Sequence, residues 1–475
     1  AVEAARLRER YGADAELLPL SPLQRGLLYH MVRSRETDDH NAYVSQVTRE
    51  LAGEVDPARM ADAVATVLRR YPNLTACFVA LGEGEVQVVP ARTPVPFRVV
   101  RQAEWRATAP DVEAFLAAER AAPFDHEEPP LVRFVLVERS PAGWTLAMTF
   151  EHILMDGWSL NLVLDEVLAI YADPAYADRA PAASLRTYLD WLAARDPDAA
   201  RSAWRDYLAD LPGPSVIWPE GGDLTGDRIE TGELHRDLDD AEAARVYAAA
   251  RAARVTVGTL LQVAWGIVLG TLTGSTDVVF GNTVSGRPPE LDDADRIVGL
   301  LFNTLPMRVR FSPGEPIGAL LTRVQTEQLQ VIDHCYASLS DIQDDAGVGA
   351  LFDTLFVVQN FPFRAEGGPD GEARVTGGGI DDATHYPVTW AVNPWMDGDR
   401  AAVHVRLSYR RDAFDDAAAR TLMERYLHVL RFLVEHLDAP MGRVSVLLPG
   451  ETVDAGPADR PLAEVTVGGL LEQRV

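Results

Sequence analysis

Apolar residues recur at helical spacing in one early stretch, Met60, Ala63, Val64, Val67 and Leu68, bracketed by Asp56-Pro57 before and Tyr71-Pro72 after. That pattern predicts an amphipathic helix with Asp56 as N-cap and a first-turn proline. A second helix is predicted where Leu160, Val163, Leu164, Val167, Leu168 and Tyr171 mark one face, up to the loop at Asp173-Pro174. Short apolar, β-branched runs at 76–79 and 131–137 predict strands between them. Further on, helical patterns at 188–208, 257–269 and 417–437 alternate with strand-like runs at 277–284, 355–359 and 403–409. Residues 123–130 and 367–379, rich in Pro and Gly, read as loops. The chain is therefore expected to be of mixed α/β (α+β) class. Its 475 residues exceed what one core usually serves, so two lobes are expected, at 17–175 and 176–445.

Residues 1–16 form a charged, alanine-rich run without a core of its own, and 446–475 turn polar and Pro/Gly-punctuated; both read as connecting segments. The net charge of −27, from 71 acidic and 44 basic residues, speaks against a nucleic-acid backbone or an anionic membrane as partner. No apolar stretch approaches the roughly 18 residues of a membrane span, and a cytoplasmic location is expected. Cys77 and Cys335 stand in apolar surroundings without metal-ligand spacing, so both are expected as buried thiols, with no disulfide and no metal site.

From Trp144 to His152 the sequence WTLAMTFEH alternates as a strand does, which puts His152 on one face and Glu151 on the other. Asp156 and Gly157 follow, and Ser159 is placed to cap the next helix, so residues 152–157 read as a strand-loop-helix corner that aims groups into a cleft. Imidazole exchanges protons near neutral pH, which suits His152 to acid-base chemistry. A histidine beside an aspartate at a strand end is equally the pattern of a structural residue, and spacing alone leaves both readings open.

The segment EHILMDGWS resembles the HHxxxDG signature of the condensation domains of nonribosomal peptide synthetases, and other segments match that family in order. LPLSPLQRGLLYH at 18–30 resembles its S-x-x-Q motif, Arg70-Tyr71-Pro72-Asn73-Leu74 its RHPxLR segment, and Tyr188 with Trp191 its Y-x-D-Y-x-x-W helix. Gly286-Arg287, residues 298–304, residues 352–362 and residues 409–414, which resemble the R-D-x-F element, complete a match over roughly 17–445.

The resemblance implies two chloramphenicol-acetyltransferase-like lobes in a V with a tunnel between them. It implies an acyltransferase that forms an amide from a donor acyl or peptidyl thioester and the α-amine of an acceptor aminoacyl thioester. Both are carried on 4′-phosphopantetheine arms of upstream and downstream carrier domains, so no cofactor is held by the chain itself. Residues 1–16 then lead from a carrier domain, and 446–475 lead toward an adenylation domain. By the same resemblance His152 is the catalytic histidine, as general base or as the group that positions the amine. Asp156 is expected to pair with Arg287 of the second lobe, and Gly157 to leave room for the donor. Arg25, Asn303, Thr304, Gln359 and Asn360 are candidate substrate contacts. Glu151 stands where the signature has its first histidine, which leaves an alternative: a catalytically impaired, carrier-docking domain of the same fold. An epimerisation domain is a more distant one.

Overall fold

The computed structural model describes residues 2–36, 43–82, 84–140, 143–179, 181–218, 230–359, 374–382, 384–398 and 400–451. Two compact units emerge, and neither is continuous in sequence. The first takes in Ala1–Arg195, Ser285–Asn303 and Phe361–Thr384; the second takes in Asp196–Val284, Thr304–Asn360 and His385–Val475. This differs from the single expected division after residue 175, because two later stretches return to pack with the N-terminal part.

Among the described residues, the main sheet of the first unit has five strands in the order Arg374–Asp381, Val44–Ala52, Gly143–Glu151, Val132–Ser140, Phe97–Val100. Neighbours are antiparallel except the last pair. Both faces are covered. Phe134, Leu136, Leu146 and Met148 join the core beneath helices Pro57–Arg70 and Gly157–Ala172. On the other face Val135, Val137 and Ala147 pack with Phe115 and Leu116 of helix Val112–Ala121. This accounts for a difference from the alternating pattern in the sequence: every side chain from Trp144 to Glu151 is buried. Of the polar ones, Thr149 is hydrogen-bonded there, Gln46 Nε2 donating to its Oγ1 at 2.9 Å.

The helix expected after Asp56 spans Pro57–Arg70, with the Asp56 carboxylate accepting from the N–H groups of Ala58 and Arg59. The expected loop at 367–379 is corrected where it is described. Arg374–Asp381 is an edge strand, and glycine is required in it because a Cβ on Gly378 would lie 2.3 Å from the Thr48 carbonyl oxygen. The N-terminal run, expected to lack a core, is a helix over Val2–Tyr11 whose Leu7 and Tyr11 pack on Cys77, Val79 and Val88. Leucine and tyrosine four residues apart give it one apolar face. Residues 452–475, most of the expected C-terminal linker, lie outside the described residues.

The second unit holds a sheet in the order Asn303–Arg310, Asp277–Val284, Thr354–Val358, Val388–Asp397, Arg400–Arg410, Thr231–Leu238. Helices Asp240–Ala253, Val257–Thr273 and Asp416–Glu435 build its core, in which the Trp390 ring lies 5.3 Å from Trp265 and 4.4 Å from Tyr426. The helix expected over 188–208 is two, Leu185–Ala193 and Pro197–Tyr207, because Asp196 caps a new start at Pro197. Of the two cysteines, Cys77 is buried as expected, whereas Cys335 is only half-buried. Among the described residues no single helix is long and apolar enough to cross a membrane.

Candidate functional site

The strand Gly143–Glu151 ends where its neighbours end: Glu151 N–H donates to Leu131 O at 3.0 Å, and His152 N–H to Tyr43 O at 2.9 Å. Leu154 N–H then turns back to Glu151 O at 3.0 Å, and Ile153, Leu154 and Met155 are all driven into the core. Three buried apolar residues in succession fix the corner and leave His152 as its partly accessible side chain, 26% exposed.

Asp156 closes the corner and caps the helix Gly157–Ala172 by accepting from Ser159 N–H at 2.8 Å. The cap is thus Asp156 rather than the expected Ser159. The Ser159 hydroxyl donates to Gly299 O at 2.9 Å and accepts from Gly299 N–H at 3.1 Å. The Asp156 carboxylate also receives Arg287 through Nη1 at 2.9 Å and Nη2 at 3.1 Å, and Leu301 N–H at 3.0 Å. Arg287 Nη2 further donates to Ser159 Oγ at 2.9 Å and to Ile297 O at 3.2 Å, and the guanidinium lies 5.5 Å from the Trp158 ring centroid. The expected Asp156–Arg287 pair is present, with one correction: Arg287 belongs to the first unit, not to a second lobe, so the pair braces this unit internally.

Other matched segments grip the same stretch, 297–301. Asn73 Nδ2 donates to Val298 O at 3.0 Å, and the Tyr188 hydroxyl to Leu301 O at 3.4 Å. Gly286 is where the chain passes Leu301 so closely that a Cβ would lie 1.7 Å from its carbonyl oxygen. Ser21 and Gln24 cap helix Pro22–Glu36 reciprocally, Gln24 Oε1 accepting from Ser21 N–H at 2.9 Å and Ser21 Oγ from Gln24 N–H at 3.3 Å. The Gln24 amide then donates to Ile153 O at 3.1 Å, which ties the S-x-x-Q helix to the histidine corner. The neighbouring candidate Arg25 is exposed on that helix.

Glu151 is fully buried. It shares a face with Thr149, opposite which stands Arg133, and the carboxylate works against the downward pull of burial on the Arg133 guanidinium. It occupies the side of the strand away from His152. Gly157 is half-exposed at the first position of its helix, its carbonyl accepting from Asn161 Nδ2 at 2.9 Å. Asn303 and Thr304 are buried at the start of the strand Asn303–Arg310. Gln359 belongs to the second unit, where its N–H donates to Val392 O at 2.8 Å; Asn360 lies outside the described residues.

One neighbour of His152 was not expected. Asp382 Oδ2 lies 3.8 Å from His152 Nε2, and Asp382 Oδ1 accepts from the Ser45 hydroxyl at 2.7 Å. His152 Nδ1 is buried without a hydrogen-bond partner. Ser45 faces Phe150 in the register of the sheet, and Asp382 follows the edge strand read from sequence as a loop. Only the pairing of that strand brings the carboxylate to the corner, from a place far along the chain that no local signal marks.

A family model described as Condensation domain matches residues 14–454. One of the proteins that make up the linear gramicidin synthase of Brevibacillus parabrevis is 32% identical over 463 residues, covering 93% of this chain and 6% of that protein. Chondramide synthase of Chondromyces crocatus is 32% identical over 365 residues, 75% of this chain and 9% of that protein. The chain thus spans less than a tenth of these relatives. Among solved structures, the X-domain from teicoplanin biosynthesis aligns with a TM-score of 0.77 at 21% identity, over 91% of this chain and 98% of that one. The first condensation domain of the CDA synthetase aligns with a TM-score of 0.71 at 18% identity, over 91% and 99%. Such structures share the mixed α/β architecture described above. On the breadth of the family match and the identity to peptide synthetases, the chain belongs to the condensation-domain family.

Proposed function

We propose that this chain joins a carrier-bound donor acyl or peptidyl thioester to the α-amine of a carrier-bound acceptor aminoacyl thioester, with His152 at the reacting nitrogen. Condensation domains of peptide synthetases are acyltransferase-type, peptide-bond-forming enzymes. The reading for this chain rests on one observation: at the braced corner, with Ile153 to Met155 and Asp156 buried, His152 keeps an accessible imidazole.

The chemistry asks little beyond alignment. An amine and a thioester held in near-attack geometry react with an effective molarity that can reach about 10⁵–10⁸ M. His152 then serves as base for the amine or as a hydrogen-bonding group that holds it and steadies the tetrahedral intermediate. Asp156, Arg287 and Ser159 act on the corner's position and not on the reacting atoms. Gly157 leaves room for the donor beside the corner. The 4′-phosphopantetheine arms arrive with the carrier domains as part of the substrates, and an adenylation domain is the expected further neighbour. The placement of Glu151 away from His152 supports an active domain over a docking module.

The test uses the purified chain with one donor-loaded and one acceptor-loaded carrier domain. His152→Ala is expected to lower amide formation by roughly 10²–10⁴-fold, with the thermal unfolding midpoint retained. Wild-type rates in the variant would overturn the reading.

A further inference from the structure

We propose that Asp382 is a substrate-binding residue of this site, which receives the acceptor's α-ammonium group between its carboxylate and the His152 imidazole. The inference rests on the function proposed above and adds a residue that no matched motif contains.

The geometry is that of a gap with two poles. Nε2 of His152 and Oδ2 of Asp382 are 3.8 Å apart, too far for a hydrogen bond to each other. A nitrogen about 2.9 Å from each would see them at roughly 80°, so both N–H bonds stay within about 15° of straight. One small donor with at least two N–H groups fits that description, and an ammonium fits it with charge as well. Both poles are accessible to a ligand, each side chain being 26% exposed. The carboxylate is held in place from behind, since Oδ1 accepts from Ser45 Oγ at 2.7 Å and Oδ2 faces the histidine. All three residues belong to the first unit.

An α-amino group, with a reference pKa of about 7.7–8.0, arrives mostly protonated at neutral pH and cannot attack in that form. Asp382 accounts for its capture, and His152 for its activation. One ammonium proton passes to His152 Nε2, and the imidazolium so formed lies against the Asp382 carboxylate until it releases that proton to solvent. The freed lone pair forms the C–N bond to the thioester carbonyl. As the C–S bond breaks, the departing thiolate takes a second proton from nitrogen, leaving amide, thiol and one proton in solution.

Asp382→Asn keeps an oxygen for Ser45 while removing the charge, and so separates substrate binding from structure. The probes are leucyl-N-acetylcysteamine thioester and its desamino counterpart, 4-methylpentanoyl-N-acetylcysteamine thioester, compared by ligand-observed NMR competition on the full chain. Wild type is expected to prefer the amino compound by about tenfold or more, as for one desolvated charge pair, and Asp382→Asn to lose the preference with its unfolding midpoint unchanged. In turnover with loaded carrier domains the same variant is expected to raise KM for the acceptor and leave KM for the donor as it was. Equal preference in wild type, or a preference retained by Asp382→Asn, would overturn the inference. Because the NMR comparison needs no turnover, its outcome is independent of the His152→Ala assay, which alone decides the proposed function.

Discussion

Asp156 and Arg287 form a two-pronged ion pair inside the first unit, Nη1 to Oδ2 at 2.9 Å and Nη2 to Oδ1 at 3.1 Å, with side chains 0% and 6% exposed. The Asp156 carboxylate has two further donors, the N–H groups of Ser159 and Leu301, so the aspartate is satisfied on both oxygens. Removing one partner leaves a buried charge without its counter-charge, which costs about 3–5 kcal/mol. Arg287→Ala is expected to lower the unfolding free energy by about that amount in urea titration. The double variant Asp156→Ala/Arg287→Ala is expected to lose less than the sum of the two singles, because the pair fails as a unit. Additive losses would show that the two residues act separately.

Glu151 stands where the family signature has its first histidine, and the structure turns its side chain to the face that carries Arg133, itself anchored on the carbonyls of Glu119 and Ala122. Replacing the carboxylate by imidazole removes negative charge that favours the half-buried Arg133 guanidinium. Glu151→His is therefore expected to cost stability, on the order of 1–3 kcal/mol, and to change the condensation rate of the folded protein by less than about threefold, since the group lies away from His152. Chemical denaturation and single-turnover rates on the same preparation check both. A rate rise of a hundredfold or more would mean that the carboxylate suppresses the reaction.

How much of this was legible in sequence follows from the range of each interaction. The helix Pro57–Arg70, its Asp56 cap and the corner at His152 rest on neighbours a few residues apart, and periodicity and capping chemistry report such relations directly. The motifs of the resemblance located Ser21, Gln24, Asn73 and Tyr188 but not what they hold, and for Arg287 they also gave its partner, Asp156. In the structure, Asn73, Tyr188 and Arg287 converge with Asp156 and Ser159 on residues 297–301, while Gln24 secures Ile153. Asp382 left no trace, because its position depends on a glycine-bearing edge strand pairing with Val44–Ala52, and glycine in sequence reads as a break. The N-terminal helix escapes a sequence reading for the opposite reason: its charged residues outnumber the two apolar ones, Leu7 and Tyr11, that dock it.

In the second unit, Asp353 gives the fold a pH dependence of unusual sign for a carboxylate. Its side chain is buried and accepts from Ile217 N–H at 2.9 Å and Trp218 N–H at 2.8 Å. Burial nevertheless outweighs these bonds and pushes the carboxyl up from 3.8 to about 6. A group that holds its proton more tightly when folded stabilises the native state in full below its unfolded pKa near 4 and loses that contribution as pH rises through about 6. At roughly 1.4 kcal/mol per pKa unit, the loss through this one group is on the order of 3 kcal/mol between pH 4 and 7. Other carboxylates have the reverse sign: Asp412, paired with Arg410, is held below the usual carboxylate range, so its contribution is lost on acidification instead. The two can be separated by substitution. Asp353→Asn keeps an oxygen to accept from both N–H groups but cannot ionise, so its unfolding free energy is expected to gain on wild type steadily from pH 4 to pH 7. Urea titrations at half-unit intervals of pH read the difference directly, and a constant gap between the two proteins would assign the burial of Asp353 no part in the pH response.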